Sequence, residues 1–371
     1  MRAKIDACFG SCPLDVWLAV QCGATASCEL PEKLAQMQLR LLRSTVEQAM
    51  RGAFYATRLQ GRVSEFTRLE DLTRLPFTTA EDLRNWGDFL CVSQGDVQRM
   101  VTLHTSGTTG QPKRLAFTDA DLARTRDFFA VGMSQLVRAG QRLAVLLPGA
   151  ERPDGVADLL RQALVSAGVE VVAPPAQVHM SSQPGESLVQ WIEQAEAHCL
   201  VAAPAQLACL LGWFFSAGPK KIAGVLSSAE PLDVALGQSL RQVWQCEVLD
   251  HYGLTETAYG GAVECAAHNG FHVRELDVLI EIVDISGHKV LPVGEAGEVV
   301  ITTLQREAMP LVRYRTGDVA RLLPGPCDCG SPLLRLGPVL GRIERPAGAS
   351  PRIVCPSKGR GWQIPDLSDL H

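Results

Sequence analysis

Residues 105–113 read TSGTTGQPK, and this stretch says more about the fold than any other part of the chain. It combines hydroxyl side chains, two glycines and a lysine. Glycine lets backbone N–H groups approach a ligand closely, and successive N–H groups can cradle an anion. Hydroxyls add donors, and the charge of Lys113 suits a phosphate. The stretch therefore predicts a loop that binds the phosphates of a nucleotide triphosphate.

The spacing of its glycines excludes the commonest phosphate loop. A Walker loop has four residues between its first two glycines, and Lys-Ser/Thr follows the second. Here Gly107 and Gly110 are closer together, and Pro112 precedes Lys113. A polar surface turn is the alternative, since Gly, Ser, Thr and Pro all favour turns.

The whole chain has the composition of a globular protein. Its 371 residues predict one large or two medium domains. The net charge is −5 with both signs mixed, so no nucleic-acid partner is expected. Apolar runs near the N-terminus are short, as at 16–20, so neither a signal peptide nor a membrane span is expected. Without an export signal, the twelve cysteines are expected to be reduced thiols of a cytoplasmic protein.

Helix and strand patterns alternate along most of the chain. Residues 31–60 have helical periodicity, and a second helix is predicted to begin near Thr79. Further helices are predicted at 119–137, 156–167, 188–196, 204–215 and 233–243, and strands at 143–147, 169–173, 200–203, 222–227 and 247–250. This alternation predicts βαβ units and a mostly parallel sheet.

After residue 272 the pattern changes to strands separated by Gly and Pro turns, predicted at 278–283, 297–303 and 318–323. It indicates a small antiparallel or barrel-like subdomain. The predicted fold class is therefore α/β with a β-rich subdomain. The predicted domains are an α/β core at 1–272, a β-rich subdomain at 273–344 with a hinge at its end, and a tail or lid remnant at 345–371.

Five further motifs accompany the phosphate loop: RLPFTTAEDL at 74–83, LSSAEPL at 226–232, YGLTE at 252–256, RYRTGD at 313–318 and GRIE at 341–344. In this order they resemble the adenylate-forming superfamily of acyl-CoA synthetases, adenylation domains and luciferases. The match is closest to the branch of phenylacetate–CoA ligases and coenzyme F390 synthetases. The resemblance implies the large N-terminal α/β domain of that fold.

The YGLTE motif also has a direct physical interpretation. It follows the apolar residues of a predicted strand, and open α/β sheets bind ligands at the carboxyl ends of their strands. Glu256 offers a hard oxygen for Mg²⁺, and Thr255 can hydrogen-bond a phosphate. A solvated carboxylate is the alternative for Glu256. The resemblance implies that Tyr252 lies near adenine, Thr255 at the α-phosphate and Glu256 on Mg²⁺.

The resemblance implies a complete site for ATP and AMP. Lys113, Thr255 and Glu256 are the implied catalytic residues. Asp318 would accept the ribose hydroxyls, with an aspartate in a turn as the alternative; Arg342 would lie near the nucleotide, with a surface arginine as the alternative. The implied nucleotide-binding residues are Thr105, Ser106, Gly107, Thr108, Thr109, Gly110, Ser228, Ala229, Glu230, Pro231, Tyr252, Gly253, Asp318 and Arg342.

The resemblance also places an aryl pocket. Phe128 and Phe129 fall on the helix that forms part of its wall in phenylacetate–CoA ligases, and aromatic rings favour a flat guest. Core packing of that helix is the alternative. Ala258, Tyr259 and Gly260 would line the opposite side.

Cys265, His272, Cys327 and Cys329 form a separate pattern. Three thiolates and an imidazole suit a tetrahedral, structural Zn²⁺. A single residue separates Cys327 from Cys329, where two are commoner, and free thiols without metal are the alternative. His268 is a substitute for His272.

The implied function is that of an ATP-dependent, AMP-forming ligase. A carboxylic acid, expected to be an aryl acid such as phenylacetate, would attack the α-phosphorus of ATP, and the acyl-adenylate would pass its acyl group to CoA. This step depends on positioning and charge neutralisation. The alternatives are an adenylating or acyl-transfer protein of a pathway without CoA, and a non-catalytic relative that binds the acid or the nucleotide.

The pattern departs from the family after Glu344. Full-length relatives carry a C-terminal lid with a second lysine, whereas residues 345–371 do not match the opening of that lid and contain only Lys358. A segment this short rarely folds alone. The lid is therefore expected to be truncated or naturally absent. A separate lid or acyl-acceptor protein would then be a partner, and a homodimer is left open.

Overall fold

The computed structural model describes residues 9–60, 66–103, 113–152, 155–179, 184–217, 222–287, 289–345 and 350–354. Their helices are α1 (Pro13–Cys22), α2 (Leu30–Ala49), α3 (Ala53–Arg58), α4 (Asp119–Met133), α5 (Val156–Leu164), α6 (Ala176–His179), α7 (Pro184–Gln194), α8 (Pro204–Ala217) and α9 (Val234–Trp244). None of these described helices is long and apolar enough to cross a membrane.

The strands are β1 (Arg99–Leu103), β2 (Lys113–Phe117), β3 (Arg142–Val145), β4 (Glu170–Val172), β5 (Cys199–Ala202), β6 (Gly224–Ser227), β7 (Glu247–Leu249), β8 (His251–Tyr252), β9 (Ala262–Glu264), β10 (Phe271–Val273), β11 (Val278–Val283), β12 (Gly297–Thr303), β13 (Tyr314–Ala320), β14 (Arg335–Leu336), β15 (Gly341–Glu344) and β16 (Arg352–Val354).

The described residues divide into two compact units. The discontinuous unit contains those of 1–125 and 253–355, and the continuous unit contains those of 126–252. The domain boundary predicted at residue 272 does not coincide with these limits. The chain leaves the first unit, forms the second and returns at residue 253, and a change of local pattern along the sequence does not reveal such a return.

The continuous unit contains a five-stranded parallel sheet in the order β4-β3-β5-β6-β7. The helices and strands predicted between residues 115 and 250 are present, with ends shifted by a few residues. Leu143 and Val145 of β3 pack into a core with α5, whereas Ala144 and Leu146 pack into a core with α7, α8 and α9. Both faces of the sheet are thus covered, which explains why its strands are short apolar runs. The predicted α/β class is confirmed.

The discontinuous unit contains antiparallel strands. β1 pairs with β2, β10 pairs with both β9 and β14, and a five-stranded sheet has the order β11-β12-β13-β15-β16. β11 and β12 have the predicted bounds. The strand predicted at 318–323 instead runs over Tyr314–Ala320. Its polar start hides this strand in the sequence. Arg315 can nevertheless lie in the sheet, because the buried Glu298, 2.5 Å away, neutralises its charge.

Candidate functional site

Lys113, Glu256 and Tyr314 meet in the discontinuous unit. Lys113 Nζ lies 3.0 Å from Glu256 Oε1, and the two side chains are only 15% and 7% exposed. The Tyr314 hydroxyl donates to the same carboxylate oxygen at 2.7 Å and lies 3.5 Å from Lys113 Nζ. This lysine–glutamate–tyrosine cluster unites two residues that the sequence predicts as catalytic. It adds Tyr314, to which the sequence assigns no role.

Glu256 is positioned by a tight turn. Thr255–Thr257 form one turn of 3₁₀ helix, closed by Thr257 Oγ1, which donates to Leu254 O at 2.9 Å and accepts from Leu254 N at 3.0 Å. A Cβ atom on Gly253 would lie 2.6 Å from the backbone oxygen of Tyr259. The YGLTE motif therefore fixes a backbone path that requires glycine, as well as supplying the carboxylate.

Tyr314, the first residue of β13, is positioned by Thr78 of the RLPFTTAEDL motif. Thr78 N donates to Arg313 O at 2.9 Å, and Arg315 N donates to Thr78 O at 2.9 Å. Burial, and then the negative charge of Glu256, raise the pKa of Tyr314. The hydroxyl therefore stays protonated and remains a donor to Glu256.

Asp318 and Arg342 face each other across β13 and β15. They are register partners, and Arg342 Nε lies 3.1 Å from Asp318 Oδ1. Arg342 also donates to Thr316 O at 3.1 Å, although its side chain is 64% exposed. Asp318 is buried and Gly317, with φ of 80°, turns the backbone before it. A buried carboxylate is thus paired with a largely exposed guanidinium.

In the continuous unit, the segments after β6 and β7 hold further predicted nucleotide-binding residues. Ser228 Oγ lies 2.9 Å from His251 Nε2, and Asp250 accepts from Leu232 N at 3.1 Å. Burial lowers the pKa of His251 to about 4, so its ring is neutral near pH 7. The remaining members are the exposed Ala229, Glu230 and Pro231 and the buried Tyr252.

Two predicted groups are not assembled by these observations. The loop residues Thr105, Ser106, Gly107, Thr108, Thr109 and Gly110 lie outside the described residues. Phe128 and Phe129 belong to the continuous unit, where Phe129 packs against a core that contains Val145. Ala258, Tyr259 and Gly260 belong to the discontinuous unit, where Tyr259 stacks on Phe117 with ring centroids 6.0 Å apart. The packing of Phe129 agrees with the core alternative, and the aryl pocket stays a prediction.

The side chains predicted as zinc ligands lie together in the discontinuous unit. The ligand atoms of Cys265, His272, Cys327 and Cys329 are within 4.8 Å of one another, and three of the four residues are buried. His268 instead places Nδ1 3.3 Å from a carboxylate oxygen of Glu264. The histidine of this cysteine–histidine cluster is therefore His272.

Comparison with known proteins identifies the family of this chain. A family model described as AMP-binding enzyme matches residues 75–305. The chain belongs to this family. It is 31% identical to a phenylacetate-coenzyme A ligase of Pseudomonas putida over 84% of this chain and 71% of that protein. It is 32% identical to one of Thermus thermophilus over 75% of this chain and 62% of that protein. These relatives place it in the phenylacetate–CoA ligase branch of the AMP-binding family.

A solved structure agrees with the fold. 2-Hydroxyisobutyryl-CoA ligase in complex with 2-HIB-AMP and CoA has a TM-score of 0.71 and 18% identity, and the match covers 84% of this chain and 69% of that one. Lys113 and Glu256 lie inside the region matched by the AMP-binding model, whereas Tyr314, Asp318 and Arg342 lie beyond it. Their assignment to a nucleotide site therefore depends on the motifs and the geometry.

Proposed function

We propose that this member of the AMP-binding family activates a carboxylic acid with ATP, releases pyrophosphate and passes the acyl group of the adenylate to CoA. The observation that carries the proposal is the buried lysine–glutamate–tyrosine cluster, whose lysine directly follows the phosphate-loop sequence. The names of the relatives, all phenylacetate-coenzyme A ligases, support CoA as acceptor and an aryl acid as substrate.

Lys113 can exchange one anionic partner for another. A largely buried ammonium needs a counter-charge, and Glu256 supplies it in this structure. An arriving triphosphate would offer Lys113 a more strongly charged partner, and a lysine on a flexible stem can turn toward it. Lys113 would then neutralise the charge that develops when the carboxylate attacks the α-phosphorus. The hydroxyls of residues 105–109 and Thr255 would contribute further donors to the phosphates.

Glu256 fits a magnesium ligand. Its carboxylate is a hard oxygen donor, and only Oε1 is engaged by Lys113 and Tyr314 in the contacts described above. Mg²⁺ held by Glu256 would supply positive charge next to the phosphates. Tyr314 would keep the carboxylate oriented while Lys113 turns to the phosphates.

The remaining predicted residues would hold the nucleoside and the acid. Asp318 fits a ribose ligand because its buried carboxylate can accept hydrogen bonds from hydroxyl groups and lies beside the exposed side chain of Arg342. We expect Ser228–Pro231, Tyr252 and Gly253 to contribute to adenine binding, and Phe128, Phe129 and Ala258–Gly260 to contribute to binding of the aryl group.

The test is pyrophosphate release by the full chain with ATP and Mg²⁺, using phenylacetate, benzoate and aliphatic acids, each with and without CoA. We expect release with an aryl acid and acyl-CoA only when CoA is present. Release without any effect of CoA would favour the adenylating protein of a pathway without CoA. ATP binding with no release for any acid would contradict the proposal.

A matched pair of lysine variants tests the site itself. Lys113→Ala should lower the rate about 100-fold, the effect of removing one donor to developing charge. Lys289→Ala removes an exposed lysine of the same unit and should leave the rate unchanged. Equal rates in both variants would count against Lys113.

A further inference from the structure

The cysteine–histidine cluster has the internal distances of a tetrahedral metal site. Cys265 Sγ and Cys327 Sγ are 3.8 Å apart, and Cys329 Sγ is 3.5 Å from His272 Nε2. With Zn–S bonds of about 2.3 Å and Zn–N bonds of about 2.0 Å, a tetrahedron has sulfur–sulfur edges of about 3.8 Å and sulfur–nitrogen edges of about 3.5 Å. Both measured distances agree, whereas a disulfide would need about 2.05 Å between sulfurs.

We infer that Cys265, His272, Cys327 and Cys329 bind one structural zinc ion. Soft thiolates and an imidazole select zinc over magnesium or calcium, which prefer oxygen. Four protein ligands complete the tetrahedron, so no position is left open for a substrate. The zinc site is therefore independent of the proposed nucleotide chemistry.

Two neighbouring strands and one turn of the polypeptide carry the four ligands. His272 lies on β10, and Cys265 directly follows β9, which pairs with β10. The two other ligands come from a turn in which Gly330 N donates to Cys327 O at 2.9 Å and Cys327 N donates to Ser331 O at 3.1 Å. Two strands and one turn thus present their ligand atoms to a common point.

The charge around the cluster suits three thiolates. Zinc with three thiolates and a neutral imidazole carries a net charge of about −1. Arg335, the register partner of His272, is buried, and its guanidinium donates to Asn269 O at 2.9 Å and to the carbonyls of residues 324–326. These carbonyls hold the guanidinium in place but do not neutralise it. Its positive charge is thus available to offset the charge of the metal centre.

The imidazole of His272 lacks good partners without a metal. Its Nδ1 is buried with no hydrogen-bond partner among the described atoms, and the described contact of Nε2 is the sulfur of Cys329. Burying a polar ring with such poor partners is unfavourable. A zinc bond at Nε2 would remove that deficit at one of the two nitrogens.

The zinc would also anchor the beginning of the described chain. Ser11 N donates to Cys329 O at 3.0 Å, and Ser331 Oγ donates to Asp15 at 2.5 Å. A Cβ atom on Gly10 would lie 2.7 Å from Cys329 O, so the segment packs directly on the turn. Fixing the turn with zinc would therefore hold residues 10–15 and the start of α1 in place.

The experiment measures metal in the purified full chain. We expect about one equivalent of zinc by mass spectrometry, and after exchange with Co²⁺ the intense visible bands of tetrahedral cobalt with thiolate charge transfer. Cys327→Ser and Cys329→Ser should lose both signals. Cys91→Ser, which removes a buried thiol outside the cluster, should keep them. A wild-type chain supplied with zinc that holds less than about a tenth of an equivalent and shows no cobalt bands would overturn the inference.

The wild-type chain gives a second readout that does not depend on folding of the variants. Removing the metal with a strong chelator should lower Tm and speed hydrogen exchange at residues 10–15, and zinc, but not magnesium, should restore both. Unchanged exchange there after complete removal would overturn the anchoring role. Neither readout involves ATP, so its failure is distinct from failure of the proposed ligase activity.

Discussion

At the scale of residues, the hydroxyl of Tyr314 gives Glu256 a hydrogen-bond donor that is uncharged and is therefore not attracted away by a phosphate. A carboxylate bound only to Lys113 would lose its sole neutralising contact when the lysine turned to a phosphate. The tyrosine bond at 2.7 Å would persist through that change, because burial raises the pKa of the hydroxyl and keeps it protonated. Tyr314 is therefore the residue that would hold the carboxylate in position during the proposed reaction.

Tyr314→Phe should weaken the use of magnesium. A hydrogen bond to a charged group contributes about 1.5–3 kcal/mol, so losing it should lower the rate about tenfold and raise the Mg²⁺ concentration needed for half-maximal pyrophosphate release. Tyr55→Phe is the control, since that hydroxyl is also buried but bonds Thr78 and Val312 N. It should lower Tm and leave the magnesium dependence alone. If pyrophosphate release by Tyr314→Phe depended on the Mg²⁺ concentration as in the wild type, the proposed positioning role of Tyr314 would be contradicted.

His251 should make the fold less stable in mild acid. Burial lowers its pKa to about 4, against 6.5 ordinarily, so between these values the unfolded chain binds more protons than the folded one. Stability is fully present above about pH 6.5 and falls as pH drops toward 4, by about 2 kcal/mol at pH 5. Urea unfolding at pH 7.5 and 5 should show a loss that is smaller in His251→Gln than in the wild type by about this amount. The exposed His198→Gln should behave like the wild type.

The sequence could name residues whose role follows from a motif, and it missed those whose role follows from a contact. Lys113 and Glu256 were named because their motifs carry them, and the structure places them 3.0 Å apart. Tyr314 and His251 lie within or next to the same motifs, but an aromatic ring beside a strand is also ordinary core. Tyr314 is distinguished only by its hydrogen bond to Glu256 in three dimensions, and His251 only by its contact with Ser228.

At the scale of elements, the turn from Gly253 to Gly260 depends on close backbone packing. A Cβ atom at Gly253 would meet the oxygen of Tyr259 at 2.6 Å and the Cα of Gly260 at 3.1 Å. Ala258 and Tyr259 have positive φ of 53° and 69°, which ordinary residues adopt at a cost. Glu256 inherits its position from this path.

Gly253→Ala should displace that turn. Backbone atoms cannot yield as a flexible side chain can, so Tm should fall, and a shift of the carboxylate by about 1 Å should lower pyrophosphate release about 100-fold. Gly212→Ala is the matched control, because among the described residues no heavy atom outside the backbone of α8 lies within 4 Å of its added Cβ. It should leave the rate unchanged and stabilise the chain by about 0.5–1 kcal/mol. Wild-type kinetics in Gly253→Ala would show that the turn does not set the site.

The sequence predicts the strands whose buried residues are apolar close to their observed positions, and it misplaces the strand that begins among largely buried charged residues. The strands of the parallel sheet are short apolar runs, and their positions were close to those observed. β13 was placed too late because Arg313 and Arg315 look exposed in the sequence, although Glu281 and Glu298 neutralise them. The helix predicted near Thr79 is a 3₁₀ helix over 82–89, in which Asn85 leaves helical geometry.

At the scale of the whole molecule, two bound species should contribute separately to stability. Zinc would act on the turn at Cys327 and on the strands of Cys265 and His272, whereas a nucleotide would act on Lys113, Glu256 and Asp318. These sets share no residue, and effects of sites without shared partners are usually additive. Removal of zinc should therefore lower the free energy of unfolding, measured by urea titration, by the same amount with and without nucleotide.

ATP with Mg²⁺ should raise the Tm of the full chain, because a ligand that binds only the folded state stabilises it by about 2.7 kcal/mol at 100 times its Kd. That corresponds to a shift of several degrees for a protein of this size. Asp318→Ala should reduce the shift by removing the partner of the ribose, whereas Asp88→Ala, at an exposed aspartate, should not. Because ligand binding multiplies the folded population, the shift must grow with the logarithm of ATP concentration above Kd. A wild-type Tm that does not respond to ATP at any concentration would contradict the proposed nucleotide site and the ligase activity that depends on it. The zinc site would be unaffected by that result, because it is tested by the metal content.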